Sequence, residues 1–209
     1  DLLVACTVLA EHVAPQFGLN EATAKAATPG KMTAIMAERS GLPPENETAA
    51  ITGRQEVMKK AMPQSTLVVF SGRVRTADNP AETGSAADLA KMITDAGLCK
   101  AAPASQPLLL KASQADPNEM KVMWDLAHEF REYVQKNPVD ADYVLYADYR
   151  FNPQIWEAGF VHLIVCDRKG EWVIADLRNS HHPEYQSIKP TSREDCDKIL
   201  VEMLSGYLK

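Results

Sequence analysis

The stretch from Gly159 to Leu177 leaves this chain little choice of local structure. Two runs rich in Val, Ile, Leu and aromatics, Gly159–Asp167 and Glu171–Leu177, flank the polar connector Arg168-Lys169-Gly170. Two β-type runs joined by a few residues that include glycine predict a hairpin with a small loop or bulge. Alternation then places Val161, Leu163 and Val165 on one face, with Phe160, His162, Ile164 and Cys166 on the other. In the second run, Trp172, Ile174 and Asp176 are expected opposite Val173, Ala175 and Leu177. Both faces are largely apolar, so helices are expected to cover both. The hairpin leads into the polar segment Asp176-Leu177-Arg178-Asn179-Ser180-His181-His182-Pro183. Polar residues gathered where a strand leaves a sheet mark a candidate site, and they equally describe a solvated turn.

Elements on either side of the hairpin set the fold class. Thr66–Val74 is a strand, Ser85–Ala96 a helix closed by Gly97, and Pro107–Lys111 (PLLLK) a short strand. A long helix follows to about Lys136, with Asp116 or Asn118 as its cap, Pro117 near its first turn, and an apolar stripe of Met120, Met123, Trp124, Ala127, Phe130 and Val134. Ala141–Phe151 is the strand before the hairpin. Thr191 and Glu194 have capping-box spacing ahead of a last helix that buries Ile199, Leu200, Met203, Leu204 and Tyr207. From Thr66 onward the order is β-α-β-α-β-β-β-α. That order predicts an α/β (α+β) fold, a mixed β-sheet with a C-terminal antiparallel meander, covered by helices.

Residues 1–62 add an N-terminal helical layer packed on the main domain, residues 63–209. Helical segments are expected at Leu2–Ala14, from Asn20, at Lys31–Arg39 and at Glu47–Met62, the last with Ile51, Val57, Met58 and Met62 towards a core. The chain opens on Asp1 rather than Met, as a processed or trimmed chain would, and such processing could have removed a targeting segment. Leu3-Val4-Ala5-Cys6 has the form of a bacterial lipoprotein cleavage site, which would put a lipid anchor upstream. Leu2, Leu3, Cys6, Leu9, Ala10 and Val13 also recur at helical spacing, which favours helix.

Ala141-Asp142-Tyr143-Val144-Leu145-Tyr146 before a hairpin, together with the element order, resembles the domain shared by bacterial envelope lipoproteins of the curli-secretion, TolB N-terminal and penicillin-binding-protein-activator group. The resemblance covers Thr66 to Lys209. It implies an α/β module of the cell envelope that binds partners and carries no catalytic residues. The chain departs from the pattern at Ala147-Asp148, where glycine is usual, and the Ser-His-His segment has no counterpart in it.

Composition narrows the partners. A net charge of −6 gives no basic footprint for nucleic acid or an anionic membrane, and no apolar run approaches the ~20 residues of a spanning helix. Cys6, Cys99, Cys166 and Cys196 lack any CxxC or zinc-ligand spacing; they are compatible with two disulfides in an oxidising compartment or with buried thiols.

The candidate polar cluster is His162, Asp176, Arg178, Asn179, His181 and His182. A metal reading would add Glu184 to the histidines and Asp176, but His128-Glu129 lacks the second histidine of HExxH, adjacent histidines in extended chain point apart, and no metal is assigned. His162 and Asp176 would meet across the hairpin only in a suitable register. Cys166 or Cys6 with His162 and Asp176 supplies the residue types of a thiol hydrolase without the helix N-terminus that activates such a cysteine. Neither a GxSxG nor a phosphate-binding glycine loop occurs, and no cofactor is expected. Trp156, in the loop before the hairpin, is a candidate partner contact. These readings favour a non-enzymatic bacterial envelope protein, periplasmic or secreted, that binds a protein partner or small ligand. The alternative is a hydrolase or metal-dependent enzyme using Asp176–His182.

Overall fold

In a computed structural model of the chain, residues 45–75, 82–83, 86–112, 118–152 and 154–209 are described. The helical segments expected before residue 45, with Cys6, and the cap candidate Asp116 with its neighbour Pro117 lie outside them. The chain divides into two compact units, Asp1–Thr48 and Ala49–Lys209. The second is a mixed α/β unit built on one six-stranded sheet.

The order along the chain is α1 (Glu45–Ala61), a 3-10 turn (Met62–Gln64), β1 (Thr66–Arg75), β2 (Glu82–Thr83), α2 (Ala86–Asp95), β3 (Lys100–Pro103), α3 (Glu119–Lys136), β4 (Tyr143–Arg150), a 3-10 turn (Trp156–Ala158), β5 (Phe160–Asp167), β6 (Trp172–Asn179), α4 (Pro183–Ile188) and α5 (Arg193–Leu208). Strands run β2-β1-β4-β5-β6 across the sheet, and β3 shares the outer edge of β1 with β2. β1 is parallel to β3 and β4; β4, β5 and β6 form the expected antiparallel meander.

Both faces of the sheet are covered. Leu67, Val69, Leu145, Val161, Leu163 and Val165 pack with Leu89 and Ile93 of α2 and Ile199, Leu200, Met203 and Leu204 of α5. Phe70, Val144, Tyr146, Ile164 and Cys166 pack under Met123, Trp124, Ala127, Phe130 and Val134 of α3. Two-sided burial explains why the central strands read as nearly continuous apolar runs. Ile51 and Met58 of α1 and Met62 of the following 3-10 turn face the core, whereas Val57 is 63% exposed. Met120, expected in the α3 stripe, is also exposed. Asn118 caps α3 by accepting from the Lys121 N–H at 3.1 Å.

Three local expectations are corrected. PLLLK is not a strand: the backbone N–H groups of Lys111 and Ala112 donate to the Glu129 carboxylate, and the β1 edge is taken by Lys100–Pro103. The cap of α5 is Ser192, which accepts from the Asp195 N–H and donates to the Asp195 carboxylate, one residue beyond the Thr191–Glu194 pair. The hairpin also carries a bulge. Cys166 pairs with Trp172 and Val165 with Ile174, leaving Val173 over. The extra residue puts Trp172 on the α3 face with Ala175 and Leu177, whereas simple alternation put it with Ile174 and Asp176. At the turn Gly170 has φ +78°, and a Cβ there would lie 2.6 Å from Gln135 Cγ of α3, so the expected glycine serves both the turn and the helix contact.

Candidate functional site at the end of the last strand

Beyond the bulge, β6 alternates regularly, and this divides the expected cluster. Asp176 is paired with Leu163 and Arg178 with Val161, on the α5 face; Leu177 is paired with His162 and Asn179 with Phe160, on the α3 face. His162 and Asp176 therefore lie on opposite sides of the sheet. The hairpin register does not bring them together.

On the α5 face, Arg178 is the hub. Its Nη1 donates to Asp176 Oδ2 at 2.6 Å and to the Leu177 carbonyl at 2.9 Å, and its Nε lies 3.5 Å from Glu184 Oε1. Tyr207 Oη, from the last turn of α5, donates to Asp176 Oδ2 at 2.9 Å. Burial and the adjacent Asp176 carboxylate push the Tyr207 phenol well up, which keeps it a donor. A hydrogen bond from its own backbone N–H, reinforced by Arg178, holds the Glu184 carboxyl below its ordinary value. Around this group lies an open cavity of about 270 Å³ lined by Arg178, Glu184, Glu202, Met203, Gly206 and Tyr207.

At the turn, Asn179 organises the histidines. Its Oδ1 accepts from the His181 N–H at 3.1 Å and lies 3.0 Å from His182 Nδ1, while its Nδ2 donates to Glu119 Oε2 of α3 at 3.0 Å. His182 is the residue before Pro183, which opens α4. His181 is exposed and His182 half-buried. This is an Asx-type turn joined to a helix start, and the two histidines do not converge on one point with Asp176. Among the described residues, no three His, Cys, Asp or Glu side chains are grouped to hold a metal ion.

His162 has a different partner. It stands directly opposite Asp148 of β4, its Nδ1 3.3 Å from Asp148 Oδ2, and both side chains are wholly buried. Phe160 packs beside it at 4.6 Å between ring centroids. Its Nε2 has no hydrogen-bond partner among the described residues. Sequence reasoning missed Asp148, although an acid inside an otherwise apolar strand was a signal.

Cys99, Cys166 and Cys196 are buried free thiols. Burial raises the Cys99 thiol to about 11 and the other two further, so all three stay protonated and poorly nucleophilic. Trp156 folds back, half-buried, 6.2 Å from the Tyr185 ring, with Lys189 Nζ 5.6 Å from its own ring centre. Among the described residues, no helix is long and apolar enough to cross a membrane. No family model, curated protein or solved structure matches the chain.

Proposed function

We propose that the chain is a non-enzymatic binding module of the bacterial cell envelope, periplasmic or secreted, which receives a protein partner or small ligand at the Arg178–Tyr207 cavity. The observation that carries this reading is the cavity itself, between β6, α4 and the last turn of α5. Its walls combine the apolar stems of Met203 and Tyr207 with two carboxylates, Glu184 and Glu202. Arg178, the one cation lining it among the described residues, is already engaged by Asp176. The balance of charge suits a cationic group on an apolar stem, such as a lysine or arginine side chain. Envelope location rests on the resemblance of Ala141–Tyr146, whose last four residues open β4.

The enzymatic alternative needs an acid–base group that substrate can reach. His181 can be reached, but it and His182 are held in the Asn179 turn and do not converge with Asp176, and Asp148–His162 is enclosed. A photo-crosslinking amino acid at position 202 or 206, introduced in the producing cell, tests the proposal. A discrete adduct from these positions and none from position 100, on the far edge of the sheet, is expected in the envelope fraction. Adducts independent of position, or none at 202 and 206, would overturn it.

A further inference from the structure

We infer that Asp176 and Arg178 form a latch that closes the outer edge of β6 against strand addition by a second copy of the chain. Among the described residues, no strand pairs with β6 on that side. In an antiparallel pair, every second residue turns its N–H and C=O away from its neighbour. On β6 these are Ala175, Leu177 and Asn179, and Trp172 across the bulge. Such a row is a template for another strand.

Side chains occupy most of it. The Leu177 N–H donates to Asp176 Oδ1 at 2.8 Å, and the Leu177 carbonyl accepts from Arg178 Nη1 at 2.9 Å. Because that guanidinium also binds Asp176 Oδ2 at 2.6 Å, the two side chains and the Leu177 peptide groups close a ring. Tyr207 and Glu184 brace it from α5 and α4. The neighbouring groups are taken too. Asn179 N–H meets His182 Nδ1 at 3.2 Å, the Asn179 carbonyl accepts from the His182 N–H at 2.9 Å, and the Trp172 carbonyl accepts from Arg54 Nε at 2.5 Å. Ala175 is left between two guarded stretches. An incoming strand would have to displace charge-assisted bonds at Leu177 before it could extend past Ala175. At the opposite edge β3 is four residues long and ends in Pro103, a different solution to the same hazard. The latch needs no ligand, although Arg178, Glu184 and Tyr207 also line the cavity.

Native-state hydrogen exchange tests the latch without altering the protein. The Leu177 amide is expected to exchange at least about tenfold more slowly than the Ala175 amide, although both face outward. Asp176→Ala with Arg178→Ala is expected to turn a monomer into a concentration-dependent dimer. Adding Ala175→Pro, which removes an outward N–H, should return it to monomer. Equal exchange at Leu177 and Ala175, a folded latch-free variant that stays monomeric, or a dimer indifferent to Ala175→Pro would each overturn the inference. If either set of substitutions abolishes cooperative melting, the exchange comparison in the unaltered protein decides alone.

Discussion

Asp148 and His162 face one another across β4 and β5, 3.3 Å apart and wholly enclosed. Removing one member of an enclosed hydrogen-bonded pair strips the other of a bond that water cannot replace. His162→Leu is therefore expected to destabilise the protein by roughly 3–5 kcal/mol. The double variant Asp148→Leu with His162→Leu should lose less than the sum of the two single losses, since the hydrogen bond between them is removed only once. Urea denaturation of the two single variants and the double variant measures the coupling; additive losses would show that the pair acts independently.

A second enclosed acid predicts a pH dependence. Asp197, on α5, accepts from Tyr149 Oη at 2.6 Å and lies 3.4 Å from Arg193 Nη1, which in turn binds Asp88 of α2 through Nη2. Burial raises the Asp197 carboxyl to about 6, against the opposing effects of Tyr149 and Arg193. The folded state thus holds this proton more tightly than the unfolded chain does. Its contribution to stability is complete below about pH 4 and is lost as pH rises through about 6, amounting to about 3 kcal/mol. Asp197→Asn keeps an acceptor for Tyr149 and should remove this part of the slope. Unfolding free energies of the two proteins between pH 4 and 8 provide the check, a parallel pair of curves being the contrary result.

The hairpin was legible because its evidence is local. Two β-type runs and a Gly-ended connector determine a turn, and two-sided apolarity determines that helices lie above and below. The position of the bulge was not legible, since one extra residue at Val173 goes with how Trp172 fits under α3, where its Nε1 donates to the Ala127 carbonyl at 2.9 Å. That misplacement changes face membership for Trp172 and Val173, whereas Ile174, Ala175, Asp176 and Leu177 keep the parity read from sequence. The partner of His162 lay 14 residues away on another strand, so only the sheet register could reveal Asp148. β3 escaped for the opposite reason. Lys-Ala-Ala-Pro carries no β signal, and only the open edge of β1 makes it a strand, whereas the more β-like Leu108–Leu110 is held by Glu129 and by packing of Leu110.

Lys189 ends α4 in the left-handed region, at φ 52° and ψ 65°, where glycine is the favoured residue. A residue with a Cβ loses about 1 kcal/mol there. The ammonium recovers part of this over the Trp156 ring, a contact worth about 0.5–1 kcal/mol at an exposed site. Lys189→Gly should therefore change stability by less than about 1 kcal/mol. Lys189→Val loses the cation and adds a branched Cβ to the same backbone, so it should be clearly destabilising. Thermal melts of the two variants separate the backbone effect from the cation contact, and equal melting temperatures would contradict it.

Gly159 sits where the chain turns from the Trp156 loop into β5, and a Cβ there would lie 2.5 Å from the Arg150 carbonyl oxygen and closer still to Tyr185 Oη. Its φ of −112° is ordinary, so the constraint is contact rather than backbone conformation. The two obstacles differ in kind. Tyr185 Oη is the tip of a side chain whose hydrogen bond to the Trp156 carbonyl, at 3.1 Å, can be given up. The Arg150 carbonyl belongs to the end of β4, paired with Phe160 in the sheet register, and can move only if the pairing opens. Gly159→Ala is accordingly expected to cost about 1–3 kcal/mol. Adding Tyr185→Phe, which removes the hydroxyl, should restore little of that loss because the backbone clash persists. Full rescue by Tyr185→Phe in a denaturation titration would instead assign the constraint to the tyrosine and free the end of β4 from it.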